Sequence, residues 1–259
     1  MTDPNYTALL LIVDRSGSME FIRHSMVEAL QGILTDQSKE PGRLTVDVYS
    51  FNDTVTRDFH LRDVADVVVQ IEPNGNTALF DAIGRGVTEF GRVLADMAEE
   101  ERPDTVQVIV VTDGMENSST DWTRAAVRDL VIMQKKEYQW DFVFLGANQD
   151  AVMTGEGLGF DRGSSMSFDP SAKGVDSLRY AQGRYTSDLR RKQKRVFMME
   201  ERLAALEAEN DALRRQQAES QARAAEELPI APDSTSSTET NPETRPRPEG
   251  NADATDPSN

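Results

Sequence analysis

Asp14, Ser16 and Ser18 occupy alternate positions in the stretch LLLIVDRSGSME, directly after an aliphatic run from Ala8 to Val13. Two further oxygen donors stand in similar settings: Thr77 in PNGNTALFD and Asp113 in VQVIVVTDG. The five make a set of two carboxylates and three hydroxyls, with no nitrogen or sulfur. Such a set suits a hard divalent cation, Mg²⁺ or Mn²⁺, and not zinc. Two carboxylates only balance a divalent ion, so a coordination position left to water stays electrophilic, and a carboxylate from another protein can take it. The competing assignment is purely structural: Asp14, Ser16 and Ser18 cap the next helix, and Asp113 caps a turn.

For these residues to meet, the strands that carry them must end in one crevice. TALLLIVD, RLTVDVYSFN, TVQVIVVTDG and WDFVFLGAN read as strands, three of them almost continuously apolar, as a parallel sheet covered on both faces requires. Ile22, Met26, Leu30, Ile33 and Leu34 share one face of a helix. Phe80, Ile83, Val87, Phe90, Leu94 and Met97 share a face of a second, and a third is expected over about 121–136. VTRDFHLRD alternates polar with apolar residues and is expected as an antiparallel edge strand. The order predicts a three-layer, doubly wound α/β domain over residues 6–170, with a mostly parallel sheet and right-handed crossovers. Ligands of such sheets bind beyond the carboxyl ends of the strands, where strand order reverses. Asp14 and Asp113 both end strands, so both are expected there.

The chain resembles the von Willebrand factor type A (VWA) domains, similar to small stand-alone bacterial or bacteriophage members. Their metal ion-dependent adhesion site (MIDAS) uses D-x-S-x-S, a threonine on a second loop and an aspartate on a third. Here these are Asp14, Ser16, Ser18, Thr77 and Asp113, and GNTALFDAI and VVTDGMENSS resemble the family's surrounding text. The resemblance covers about residues 6–169. It implies a Mg (or Mn) ion ligated directly by the serines and threonine, with the aspartates often acting through water. It also implies a protein ligand presenting Asp or Glu, and a place inside multiprotein assemblies, some alongside an AAA+ ATPase.

Several neighbours of the motif invite a role. Asp81, four residues after Thr77, can bond a metal-site hydroxyl or water, or simply favour the helix dipole. Glu116 and Asn117 follow Asp113 and can support the site or form an exposed turn; Asn148 and Asp150 end a strand on the same edge. His24 and His60 have no companions suggesting a triad or metal cluster. An aspartate-nucleophile phosphatase needs a second acid where Ser16 stands, and no G-x-S-x-G elbow or phosphate-binding P-loop occurs. No catalytic activity is expected; a Mg-dependent phosphohydrolase is the enzymatic alternative.

The 259 residues carry a formal net charge of -17 and no cysteine. The first excludes nucleic acid as the main partner, since phosphate backbones need a concentrated basic face; the second excludes disulfides and thiolate metal sites. With no membrane-length apolar run and no secretory leader pattern, a cytoplasmic location is expected. Residues 171–228 read as a helical extension with a coiled coil at about 189–220. Val196, Leu203, Asn210 and Gln217 fall at a positions, and Met199, Leu206 and Leu213 at d. The pairs Arg195–Glu200, Arg202–Glu207 and Glu209–Arg214 would be attractive in a parallel homodimer. A scaffold built on this coiled coil, with the α/β domain as its head, is the alternative function. Residues 229–259, rich in Pro, Ser, Thr and acids, are expected to be disordered.

Overall fold

The structure is a computed structural model that describes residues 1–147, 150–206 and 211. The aliphatic runs form the expected strands, β1 (Asp3–Asp14), β2 (Arg43–Phe51), β4 (Pro103–Thr112) and β5 (Asp141–Ala147). Two shorter or more polar strands complete the sheet, β3 (Val55–Asp63) and β6 (Ser165–Phe168), in the order β3-β2-β1-β4-β5-β6. All neighbours pair in parallel except β2 and β3, so VTRDFHLRD is the antiparallel edge strand. Asp47 of β2 is fully buried against that edge, where Arg57 Nε donates to it at 2.9 Å and the backbone N–H of Leu61 at 2.5 Å.

Alternate residues of β1 feed two separate cores, which is why the run reads as continuously apolar. Leu9, Leu11 and Val13 pack with α1 (Arg23–Gln37), whereas Leu10 and Ile12 pack with α2 (Leu79–Asp96) and α3 (Arg124–Tyr138). The third helix starts later than residue 121 because the Thr123 hydroxyl caps it, accepting from the Ala126 N–H at 3.2 Å. A short helix, α4 (Ala151–Gly157), joins β5 to β6; neither α4 nor β6 carries enough periodic sequence to be foreseen.

The sequence divides the chain at residue 170. In the structure α5 (Ala172–Arg190) lies on α1 and on the same face of the sheet, burying Val175, Leu178, Ala181 and Tyr185 in the core around Leu30 and Ile33. Polar contacts lock the pair: Gln37 Nε2 donates to the Gly183 carbonyl at 3.1 Å, and Arg190 donates to the Gln37 carbonyl at 2.7 Å. Beyond a left-handed turn at Lys192, Phe197 packs against Tyr185 with the two rings tilted and their centroids 5.0 Å apart. Residues 199–206 are helical and dock through Ala205, whose carbonyl accepts from the Asp169 N–H at 2.8 Å.

Most of the heptad stretch at 189–220, and the tail at 229–259, lie outside the described residues. Two of the arginines assigned to interchain pairs are engaged within the chain. Arg195 donates to Asp141 at 2.8 Å, and Arg202 donates to the carbonyls of Ser165 and Arg162 at 2.7 and 2.8 Å. Among the described residues no helix is long and apolar enough to cross a membrane.

Candidate metal centre

Strand order reverses between β1 and β4, and three loops converge beyond their carboxyl ends. Asp14 is the last residue of β1, fully buried, with the N–H of Ser16 donating to one oxygen at 2.7 Å and the Thr112 hydroxyl to the other at 2.6 Å. Asp113 follows the last residue of β4, and its Oδ1 accepts from the Ser18 hydroxyl at 2.6 Å. The Ser16 and Ser18 hydroxyls are 3.1 Å apart. Ser16 is the N-cap residue of the 3-10 helix Gly17–Phe21 and Ser18 lies in its first turn, yet the Ser16 side chain makes no capping bond, and neither does Ile22 at the head of α1. The capping assignment therefore fails for these hydroxyls, which face the carboxylates instead.

Thr77 arrives from the third loop. Gly75, at φ +73°, turns that loop so tightly that a side chain there would collide with Asp53, and its carbonyl accepts from the Gly17 N–H at 3.0 Å. Gly114 shows how near the donors lie: a Cβ on it would sit 2.9 Å from Thr77 Oγ1 and 3.4 Å from Ser18 Oγ. The five residues predicted from sequence are thus brought together. Asp14, Ser16, Thr77 and Asp113 are buried and Ser18 is exposed, so the cluster opens toward solvent beside Ser18.

The electrostatics call for a cation. Burial pushes the Asp14 carboxyl up to about 6, against the hydrogen bonds from Thr112 and Ser16, and the neighbouring Asp113 adds to the rise. Burial raises Asp113 as well, opposed by the Ser18 hydroxyl. Among the described residues no cationic side chain stabilises either carboxylate. Two buried acids surrounded by hydroxyls fit a small divalent ion in their chemistry.

A family model for the von Willebrand factor type A domain matches residues 8–169, a span that contains all five donors and all of the sheet except the first residues of β1. The chain belongs to the von Willebrand factor type A domain family. Among solved structures, proximal thread matrix protein 1 from the mussel byssus is similar with a TM-score of 0.52 at 17% identity, over 71% of this chain and 47% of that one. A second structure of that protein, with a zinc-occupied MIDAS motif, is similar at a TM-score of 0.51 and 17% identity, over 71% of this chain and 47% of that one. The pilus adhesin SpaC from Lactobacillus rhamnosus GG, in an open conformation, scores 0.52 at 13% identity over 72% of this chain and 30% of that one. The chain thus spans about half, or less, of the length of the structures it matches. A comparison with curated protein sequences found no match.

Around the five donors, this VWA domain holds its loops with side chains whose roles the sequence left open. Asn117 clamps Thr77 from both sides: its Oδ1 accepts from the Thr77 N–H at 2.8 Å, and its own N–H donates to the Thr77 carbonyl at 3.1 Å. Glu116 accepts from the Phe80 N–H at 2.9 Å and from the N–H groups of Ser118 and Ser119 at 2.9 and 2.7 Å, tying the loop after Asp113 to the start of α2. Asp81 does not turn to the donors; it accepts backbone N–H groups of Thr120, Asp121 and Trp122 at 2.8, 3.0 and 2.7 Å. Asp150 caps α4 through the Met153 N–H at 3.0 Å, and Asn148 lies outside the described residues. His24 is exposed beside Glu28, while His60 sits near Arg57 and Asp47 on the sheet's edge, away from the donor loops.

Proposed function

We propose that the VWA domain is a non-catalytic, divalent-metal-dependent protein-binding module. Ser16, Ser18 and Thr77 would hold a Mg²⁺ or Mn²⁺ ion directly, with Asp14 and Asp113 supplying the balancing charge from beside it. When bound, the metal supplies an electrophilic position that an Asp or Glu side chain of a partner protein fills. The observation that carries this reading is the pair of buried carboxylates, Asp14 and Asp113, bonded by the hydroxyls of Thr112, Ser16 and Ser18 and, among the described residues, by no cationic side chain. The hydroxyls are aimed at these acids rather than at helix ends, which is the arrangement a cation needs. Two similar structures support a metal at such a motif and a binding role, respectively, without favouring Mg²⁺ over other ions: the mussel protein with its zinc-occupied MIDAS, and the adhesin SpaC. A catalytic reading as an aspartate-nucleophile phosphatase lacks the second acid two residues after Asp14, where Ser16 stands.

Calorimetric titration of Mn²⁺ and Mg²⁺ into the protein tests the metal, and capture of partners from lysate in Mg²⁺ or EDTA tests the bridge. One ion per chain, abolished in Asp14→Ala, and partners retained only with metal are the expected results. Absence of binding, or equal binding by the variant, would reject the reading.

One observation favours self-association as well. Met199 and Leu203, at d and a of the heptad pattern, are 66% and 55% exposed on the helical residues 199–206, while Ala205 on another side of that segment faces the domain and Val196, an expected a position, lies before the helix. A second copy of this chain would cover that seam as a parallel homodimer. Sedimentation of Leu203→Glu at a lower mass than the natural chain would support it; equal masses would not.

A further inference from the structure

Among the described residues, the two most exposed large apolar side chains after Met1 are Phe21 at 93% and Met115 at 73%, and each stands within three residues of a candidate metal donor. Ser18 and Phe21 are three apart in the 3-10 helix Gly17–Phe21, so their side chains stack on one side, about one turn or 6 Å apart along its axis. Met115 follows Asp113 by two residues. Because Ser18 Oγ donates to Asp113 Oδ1 at 2.6 Å, the two apolar side chains spring from two loops that are joined at the donor cluster. The third most exposed, Met153 at 68%, lies in the first turn of α4, after the carboxyl end of β5 and thus on the same edge of the sheet. Such residues are not held out by their neighbours' packing needs: Met19 and Ile22, in the same segment as Phe21, are buried at 0% and 2% exposure. The segment buries its structural apolar residues and leaves Phe21 in water.

We infer that the partner segment is an acidic residue flanked by apolar side chains, the acid reaching the metal between Phe21 and Met115, which cover the flanking groups. This rests on the metal-bridged reading above and specifies its ligand. An acid alone cannot explain the apolar pair. A purely hydrophobic partner leaves the donor cluster without a ligand. Phe and Met are also the side chains that give most contact area and adaptability to a docking surface.

The test uses two bead-displayed libraries of short peptides, randomised around a fixed central Glu or a fixed central Gln. Each is probed with the full chain in Mg²⁺ and in EDTA. The expected selection comes from the Glu library alone, only in Mg²⁺, with Leu, Ile, Phe or Met enriched beside the acid. A Phe21→Ser, Met115→Ser double variant should still bind Mn²⁺ and prefer Glu, but lose the apolar enrichment and bind the selected peptides at least about tenfold more weakly. Metal- and acid-dependent selection without apolar enrichment, or with enrichment unchanged in the double variant, would overturn the inference. Selection from neither library in Mg²⁺ would instead reject the metal-bridged reading, and this inference with it.

Discussion

Ser18 and Asp113, 95 residues apart in sequence, are joined by a 2.6 Å hydrogen bond from hydroxyl to carboxylate. That bond links the loop after β1 to the loop after β4 across the point where strand order reverses. It makes one cluster out of two strand ends. The hydroxyl that would serve a cation bonds an acid instead, so occupancy by a metal should be readable as added stability.

Saturating Mg²⁺ or Mn²⁺ is expected to raise the melting temperature, by an amount set by concentration over dissociation constant. At a hundredfold excess over that constant the gain is about 2.7 kcal/mol. Differential scanning calorimetry with and without EDTA measures it. The same ion should do nothing for a Ser16→Ala, Ser18→Ala double variant.

The raised Asp14 carboxyl has two consequences of opposite sign. Its folded-state value of about 6 lies above the ordinary 3.8, so the metal-free fold prefers the neutral form. Stability from this group is full below about 4, is lost as pH rises through about 6, and totals roughly 3 kcal/mol at most. Urea unfolding in EDTA from pH 4 to 7 should show that decline in the natural chain and not in Asp14→Asn. Metal binding runs the other way: protons compete with the ion, so apparent affinity should fall as pH drops below about 6. A flat affinity profile over that range would remove Asp14 from the metal's surroundings.

Asn117 holds the Thr77 backbone by an accepted and a donated bond. Asn117→Ala should leave the fold intact and weaken metal binding by about tenfold, the usual effect of removing a group that orients a ligand. Calorimetric titration checks it. Unchanged affinity would mean that Thr77 is held by other contacts or ligates nothing.

Gly114→Ala places a methyl group 2.9 Å from Thr77 Oγ1 and 3.4 Å from Ser18 Oγ. Loss of metal binding with a melting temperature close to that of the natural metal-free chain is the expected pairing. A variant that binds metal as well as the natural chain would show that the two hydroxyls need not approach through that space.

Tyr185 is buried at 2% exposure and packs against Phe197, with its hydroxyl bonded to Asp141 at 3.2 Å. Tyr185→Ala should cost about 3–5 kcal/mol, as for other large core aromatics. Ending the chain at residue 170 should cost more, exposing the face of α1 that carries Leu30 and Ile33. Denaturant unfolding of both variants measures this. Natural stability in the truncated form would restore α5 to the status of an appendage.

Much was decided by local sequence. Continuous aliphatic runs in β1, β4 and β5 specify strands with two buried faces, and the spacing in α2 from Phe80 to Leu94 specifies one apolar stripe. Asp14 and Asp113 follow such runs directly, so their position at strand ends, and the all-oxygen character of the donor set, needed no coordinates. What the sequence could not decide were partnerships made at long range by single hydrogen bonds. Asp81 serves the loop at Thr120–Trp122 rather than the donors, and Asn117 serves Thr77, although both lie near the motif and are of suitable chemistry. The four residues of β6 carry too little pattern to announce a strand. The helix α5 shows the same limit on a larger scale. Its charged composition suits a solvated rod, yet Leu178, Ala181 and Tyr185 fall on one stripe, and only the facing surface of α1 decides that the stripe is buried. Periodicity tells which residues of a helix share a face; the tertiary structure alone says what that face meets.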